Sequence, residues 1–161
     1  VRRQTLRFLG ALAAGGLVAI LAMRLSVRPG RADAPAGRYQ VDTVGGTVTD
    51  TATGLVWQRT GPTGNMPWDA ARTYCSAPPS LPGAGWRLPT MKELLTLIDD
   101  SATGSTKIDG TAFPGTVTNP PYWSSSDLAI LTTRAWVVGF GNGYTNDAGK
   151  ASFTARVRCV R

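Results

Sequence analysis

The chain contains no histidine, which removes Ser-His-Asp and Cys-His nucleophilic catalysis and every imidazole metal site. Its two cysteines are Cys75 and Cys159, and no Cys-x-x-Cys spacing marks a redox motif. Paired-carboxylate hydrolysis could draw on Glu93, Asp99, Asp100 or Asp109. Glu93 is better explained as a helix cap and Asp99-Asp100 as a helix end, so no catalytic residue, metal or cofactor is expected. What remains is the chemistry of recognition. Asn142, Tyr144 and Asn146 alternate, so an extended backbone puts them on one face. There a tyrosine ring can stack on the apolar face of a sugar while the carboxamides bond hydroxyls. Arg156 and Arg158 alternate in the same way, and guanidinium forks suit sulphate groups. A solvated strand face is the plainer reading of that pair.

These side chains need elements to hold them. Trp68, Ala71 and Cys75 fall at i, i+3 and i+7, one face of a helix that Pro78-Pro79 must end. A second helix is predicted from Met91 to Ile98. Thr90 and Glu93 form its capping box, and Met91, Leu94, Leu95 and Ile98 form its apolar stripe. Tyr39-Gln40-Val41 and Leu55-Val56-Trp57-Gln58 read as strands around the turn residues Asp50 to Gly54. A further strand, Ala135 to Phe140, runs into the hairpin signal Gly141-Asn142-Gly143. In the last strand Phe153, Ala155, Val157 and Cys159 point inward, and Thr154, Arg156 and Arg158 outward. The five tryptophans are expected in the core. The stretch from Ser101 to Pro121 is polar and Gly/Pro-rich, and loops of that length commonly carry function.

With 42% hydrophobic and 17% charged residues the chain is foldable rather than disordered. The net charge of +7 is concentrated in six arginines before Pro35. Without these and Asp33, 11 basic and 9 acidic residues remain, which gives no reason to expect a nucleic-acid partner. Arg2, Arg3 and Arg7 precede an apolar run from Phe8 to Met23. As a helix that run spans about 24 Å, short of a ~30 Å hydrocarbon core. Residues 1–34 therefore read as a cleaved signal peptide ending at Ala32-Asp33-Ala34, with an uncleaved membrane anchor as the alternative. Both place residues 35–161 outside the cytoplasm, where a Cys75–Cys159 disulfide would persist; free thiols are the alternative.

Aromatic-centred segments follow in order: Gly54-Leu55-Val56-Trp57-Gln58, Trp68 to Cys75, Gly85-Trp86-Arg87-Leu88-Pro89-Thr90, Tyr122-Trp123-Ser124-Ser125-Ser126 and Ala135-Trp136-Val137-Val138, and the series closes on Val157-Arg158-Cys159-Val160-Arg161. From about Tyr39 to Arg161 this series resembles the Lcl C-terminal domain family, named for a collagen-like bacterial adhesin. The resemblance implies an α+β, C-type lectin-like fold with a long loop region forming the ligand face. In the founding adhesin it implies binding of sulphated glycans. Calcium-held sugar is not expected, because Asn119-Pro120-Pro121 and Trp123-Ser124-Ser125 stand where calcium-dependent lectins carry acidic triplets. The expected partner is thus a glycan, sulphated or not, or an envelope or surface protein. The alternatives are a structural envelope module and, more distantly, an enzyme.

Overall fold

The computed structural model describes residues 35–100, 102 and 104–161. The leader expected over residues 1–34 lies outside them. The fold is α+β, with two three-stranded antiparallel sheets, two short helices and one disulfide. Strands β1 (Tyr39–Asp42), β2 (Thr47–Asp50) and β3 (Val56–Gln58) form the first sheet in sequence order. Helices α1 (Trp68–Ser76) and α2 (Met91–Leu95) follow. Strands β4 (Tyr122–Leu128), β5 (Leu131–Val138) and β6 (Thr145–Gly149) form the second sheet, with β6 at its edge.

Asp50 is the hinge of the first sheet. It is fully buried, receives the Arg38 guanidinium at 3.0 and 2.8 Å, and accepts from the Ala52 N–H across the turn. Burial pushes its carboxyl up, but the Arg38 fork and the Ala52 N–H outweigh that and hold it below the usual carboxylate range. The strand preceding this turn, β2, is an element that sequence reading left out.

Helix α1 buries Trp68, Ala71 and Cys75, the face its spacing predicts. Helix α2 carries the predicted capping box, Thr90 Oγ1 accepting from Glu93 N and Glu93 Oε2 from Thr90 N. It departs from prediction at its far end. Thr96 turns its hydroxyl onto the Glu93 carbonyl, and the Leu97 and Ile98 N–H groups donate to Leu94 and Leu95, three residues back. That tighter winding brings side chains three apart into line. Leu94 and Leu97 are therefore the fully buried pair, while Leu95 and Ile98 of the predicted stripe are half-buried. Leu94→Ala is expected to cost about 2–5 kcal/mol and Thr90→Ala about 1 kcal/mol in urea denaturation. Equal, negligible losses would show that this turn does not hold the core.

Two apolar clusters fill the interior. One gathers Trp68, Cys75, Trp86, Leu88, Trp123, Val137, Val157 and Cys159. The other gathers Val48, Trp57, Leu94, Leu97, Phe113, Tyr122, Phe140 and Val160. The Trp68 and Trp123 indoles donate to the carbonyls of Ser124 (2.7 Å) and Met66 (2.9 Å), so their burial leaves no orphaned N–H. Trp136 corrects the expectation of five core tryptophans. It lies between Ala135 and Val137, which take the inward positions, and is half-buried.

Between the sheets runs the segment 155–161. It is not the predicted alternating strand, because it pairs through single bridges to Met66, Tyr122, Trp57 and Arg87 in turn. Neighbours on both sides bury Val157, Arg158, Cys159 and Val160 alike. The Cys75–Cys159 bond, with Cα atoms 5.3 Å apart, ties this segment to α1.

Candidate functional site

The second sheet shapes a groove of about 490 Å³ along its β6 edge. Asn146 pairs with Val137 and Ala148 with Ala135 across the β5–β6 ladder. Directly opposed residues share a face, so Asn146 stands on the side where Val137 and Ala135 meet the core. Tyr144 and Asn146 both line the groove, Val137 forms part of its floor, and Phe153 enters from the following turn. Asn119 and Pro121 close it from the end of the long loop.

Two aromatic rings reach solvent here, Tyr144 at 38% and Phe153 at 37% exposure. Both are held in place. The Tyr144 ring fills the space a side chain on Gly139 would need, and Gly139 N donates to the Tyr144 carbonyl at 2.9 Å. Phe153 packs edge-on against buried Trp123, with centroids 5.8 Å apart. Glycine at position 139 is therefore a requirement of the tyrosine's position. Such fixed rings recognise a partner with little ordering cost.

The polar groups around them are of two kinds. Asn119 and Asn146 are exposed carboxamides, and Asn146 Oδ1 accepts from the Asp147 N–H at 2.9 Å. Arg134 and Asp147 form an ion pair, in which Arg134 Nε donates to Asp147 Oδ2 and Nη2 to the Asp147 carbonyl at 3.1 Å.

The residues expected to bind a ligand are thus only partly brought together. Tyr144 and Asn146 share the groove as their alternation predicts. Asn142 does not line it; it sits in the turn, where its Oδ1 accepts from the Tyr144 N–H at 3.3 Å. Arg156 is half-buried and donates to the carbonyls of Pro62 and Thr63. Arg158 is corrected outright: at 1% exposure it faces the interior, donating to the carbonyls of Gln58 and Arg59 and to Thr116 Oγ1. The reason is the doubly covered path of segment 155–161, on which alternation no longer separates core from solvent.

Sequence reading placed Asn119 and Asp147 only within the polar segments expected to face a ligand, Ser101–Pro121 and Gly141–Asp147, and missed Arg134 and Phe153 as groove residues. Arg134 and Asp147 carry a signal in hindsight, since charges on the two neighbouring strands of a hairpin can face each other diagonally. Phe153 carries none, its parity having pointed inward.

The Tyr122-Trp123-Ser124-Ser125-Ser126 segment has a structural task. Ser124 Oγ donates to the Trp136 carbonyl at 2.7 Å, Ser125 N donates to the Pro89 carbonyl at 2.7 Å, and Ser126 Oγ accepts from Met91 N at 3.0 Å. The first ties β4 to β5, and the other two fasten β4 to the start of α2. Among the described residues no cluster of acidic or sulphur ligands could hold a metal ion, and no helix is long and apolar enough to cross a membrane.

The disulfide itself points to an environment outside the cytoplasm. No curated protein matches the chain. The sequence profile of the Lcl C-terminal domain matches residues 46–161, which takes in strands β2 to β6, both helices and the disulfide, and the chain belongs to that family.

Proposed function

We propose that this protein is a non-enzymatic, extracytoplasmic binding module that takes a glycan in the β6-edge groove. The observation that carries the reading is the pair of fixed, partly exposed rings, Tyr144 and Phe153, beside the Asn119 and Asn146 carboxamides. Sugars present apolar C–H faces and rings of hydroxyls, and that mixture of aromatic surface and amide groups complements both. Family membership supports an extracellular bacterial setting, and the C-type lectin-like expectation agrees with a ligand face formed by loops and one sheet edge.

A second reading, contact with an envelope protein, rests on the β4–β5 hairpin tip. Ile130 is 91% exposed there and Leu131 stands beside it at 48%. Aliphatic side chains at such a tip suit a protein surface better than a sugar.

Glycan-array screening of the purified protein separates the two. Binding to at least one glycan is expected, and Tyr144→Ala should abolish it. The Asn119→Ala, Asn146→Ala double variant should weaken it roughly tenfold or more with little change in melting temperature. An array without a single hit, or a hit that survives Tyr144→Ala and is lost in Ile130→Ser, would overturn the glycan reading.

A further inference from the structure

Resting on that reading, we infer that the groove selects an uncharged sugar and discriminates against sulphated ones. Among the described residues that line it, Arg134 is the one cation and Asp147 the one anion, and they are spent on each other. Arg134 commits two donors to Asp147, Nε to the carboxylate and Nη2 to the carbonyl. A sulphate group entering here would meet a neutral pair with its carboxylate already in place. It could reach only the remaining N–H groups of a guanidinium whose charge Asp147 already offsets, and would lie close to that carboxylate.

The neighbouring cations do not make up the difference. Lys150, one residue beyond β6, pairs with Asp127 at 2.7 Å and caps the Trp68 ring with its Nζ 3.9 Å from the centroid. The arginines suited by sequence to sulphate are engaged elsewhere, Arg156 on loop carbonyls and Arg158 inside the core. Close to the hairpin turn lies another acid, Asp100, whose Oδ1 is 3.6 Å from where a Cβ on Gly143 would stand. The charges that line the groove therefore balance, while its contact surface is aromatic and amide. That combination favours a hydroxyl-rich, uncharged pyranose.

Matched pairs of one glycan with and without sulphation, titrated against the full chain by calorimetry, test this. The unsulphated member is expected to bind at least roughly tenfold more tightly. Its affinity should stay unchanged between about 50 mM and about 500 mM salt, because no net charge is neutralised on binding. Asp147→Asn frees the Arg134 guanidinium, so this variant should gain affinity for the sulphated member and acquire a salt dependence. Tighter binding of the sulphated sugar by the wild type, or a strong salt dependence of wild-type binding, would overturn the selectivity while leaving glycan binding intact. Failure to bind either member, with the array also empty, would remove the glycan reading and the selectivity together.

Discussion

Replacing Cys75 and Cys159 together by alanine is expected to lower the unfolding free energy by about 4 kcal/mol. The bond closes a loop with a sequence separation of 84 residues, and constraint of the unfolded chain grows with loop length. Both cysteines are fully buried and belong to the same apolar cluster, so alanine also leaves small voids that add to the loss. For a domain of this size the melting temperature should fall by about 10–20 °C. Urea denaturation of the wild type with and without reductant should reproduce most of the effect. Intact-mass measurement after alkylation should find no reactive thiol without reductant. A stability loss below about 1 kcal/mol, or two alkylated cysteines in the unreduced protein, would show that the bond does not hold the domain.

Arg158→Met should cost about 3 kcal/mol, with little to be recovered by Arg158→Lys. The guanidinium is buried, and among the described residues no carboxylate pairs with it. Nη1 donates to Gln58 O at 2.9 Å and Arg59 O at 2.7 Å, Nη2 donates to Thr116 Oγ1 at 2.8 Å, and the plane lies 4.7 Å from the Phe113 ring centroid. Burial pushes its pKa down from the ordinary value, yet an arginine remains charged at neutral pH. Methionine keeps much of the apolar length, so a cavity is not the main cause. The cost comes from the carbonyls left without a donor, each worth about 1–3 kcal/mol when buried. Lysine supplies charge without a planar fork that can serve three acceptors and lie over an aromatic ring. Chemical denaturation of the two variants measures this. A methionine variant as stable as the wild type would place Arg158 among buried ions that an apolar residue can replace without loss.

What could be read from the chain was local. Thr90 and Glu93 are three residues apart, and their reciprocal bonds form whatever surrounds them. Trp68, Ala71 and Cys75 define a helix face by spacing, and Gly143, at φ +76°, turns the β5–β6 hairpin where its type demands. Strand β4 was hidden because its centre is three serines, poor strand markers whose hydroxyls find partners at Trp136 and Met91 only in the folded molecule. Arg158 was hidden for the opposite reason. Its alternation with Val157 and Cys159 is real, but alternation reports exposure only when one side of a strand faces water. The groove was half legible. Tyr144 and Asn146 share a face by parity, whereas Asn119 joins them through tertiary closure, and the Arg134–Asp147 pairing depends on the β5–β6 register.

The path of residues 155–161 also sets an order in time. Val160 bridges to Trp57 and to Arg87, and Val56 and Arg161 exchange both backbone hydrogen bonds at 2.9 Å. Until this segment is in place, β1 to β3, α1 and α2 therefore have one wall of each apolar cluster still missing. Hairpins formed early have nothing durable to close on, since the decisive contacts join the two extremities of the domain. The core is therefore expected to close only when this stretch docks, and the same docking brings Cys159 to Cys75. Oxidation and collapse are thus expected to coincide.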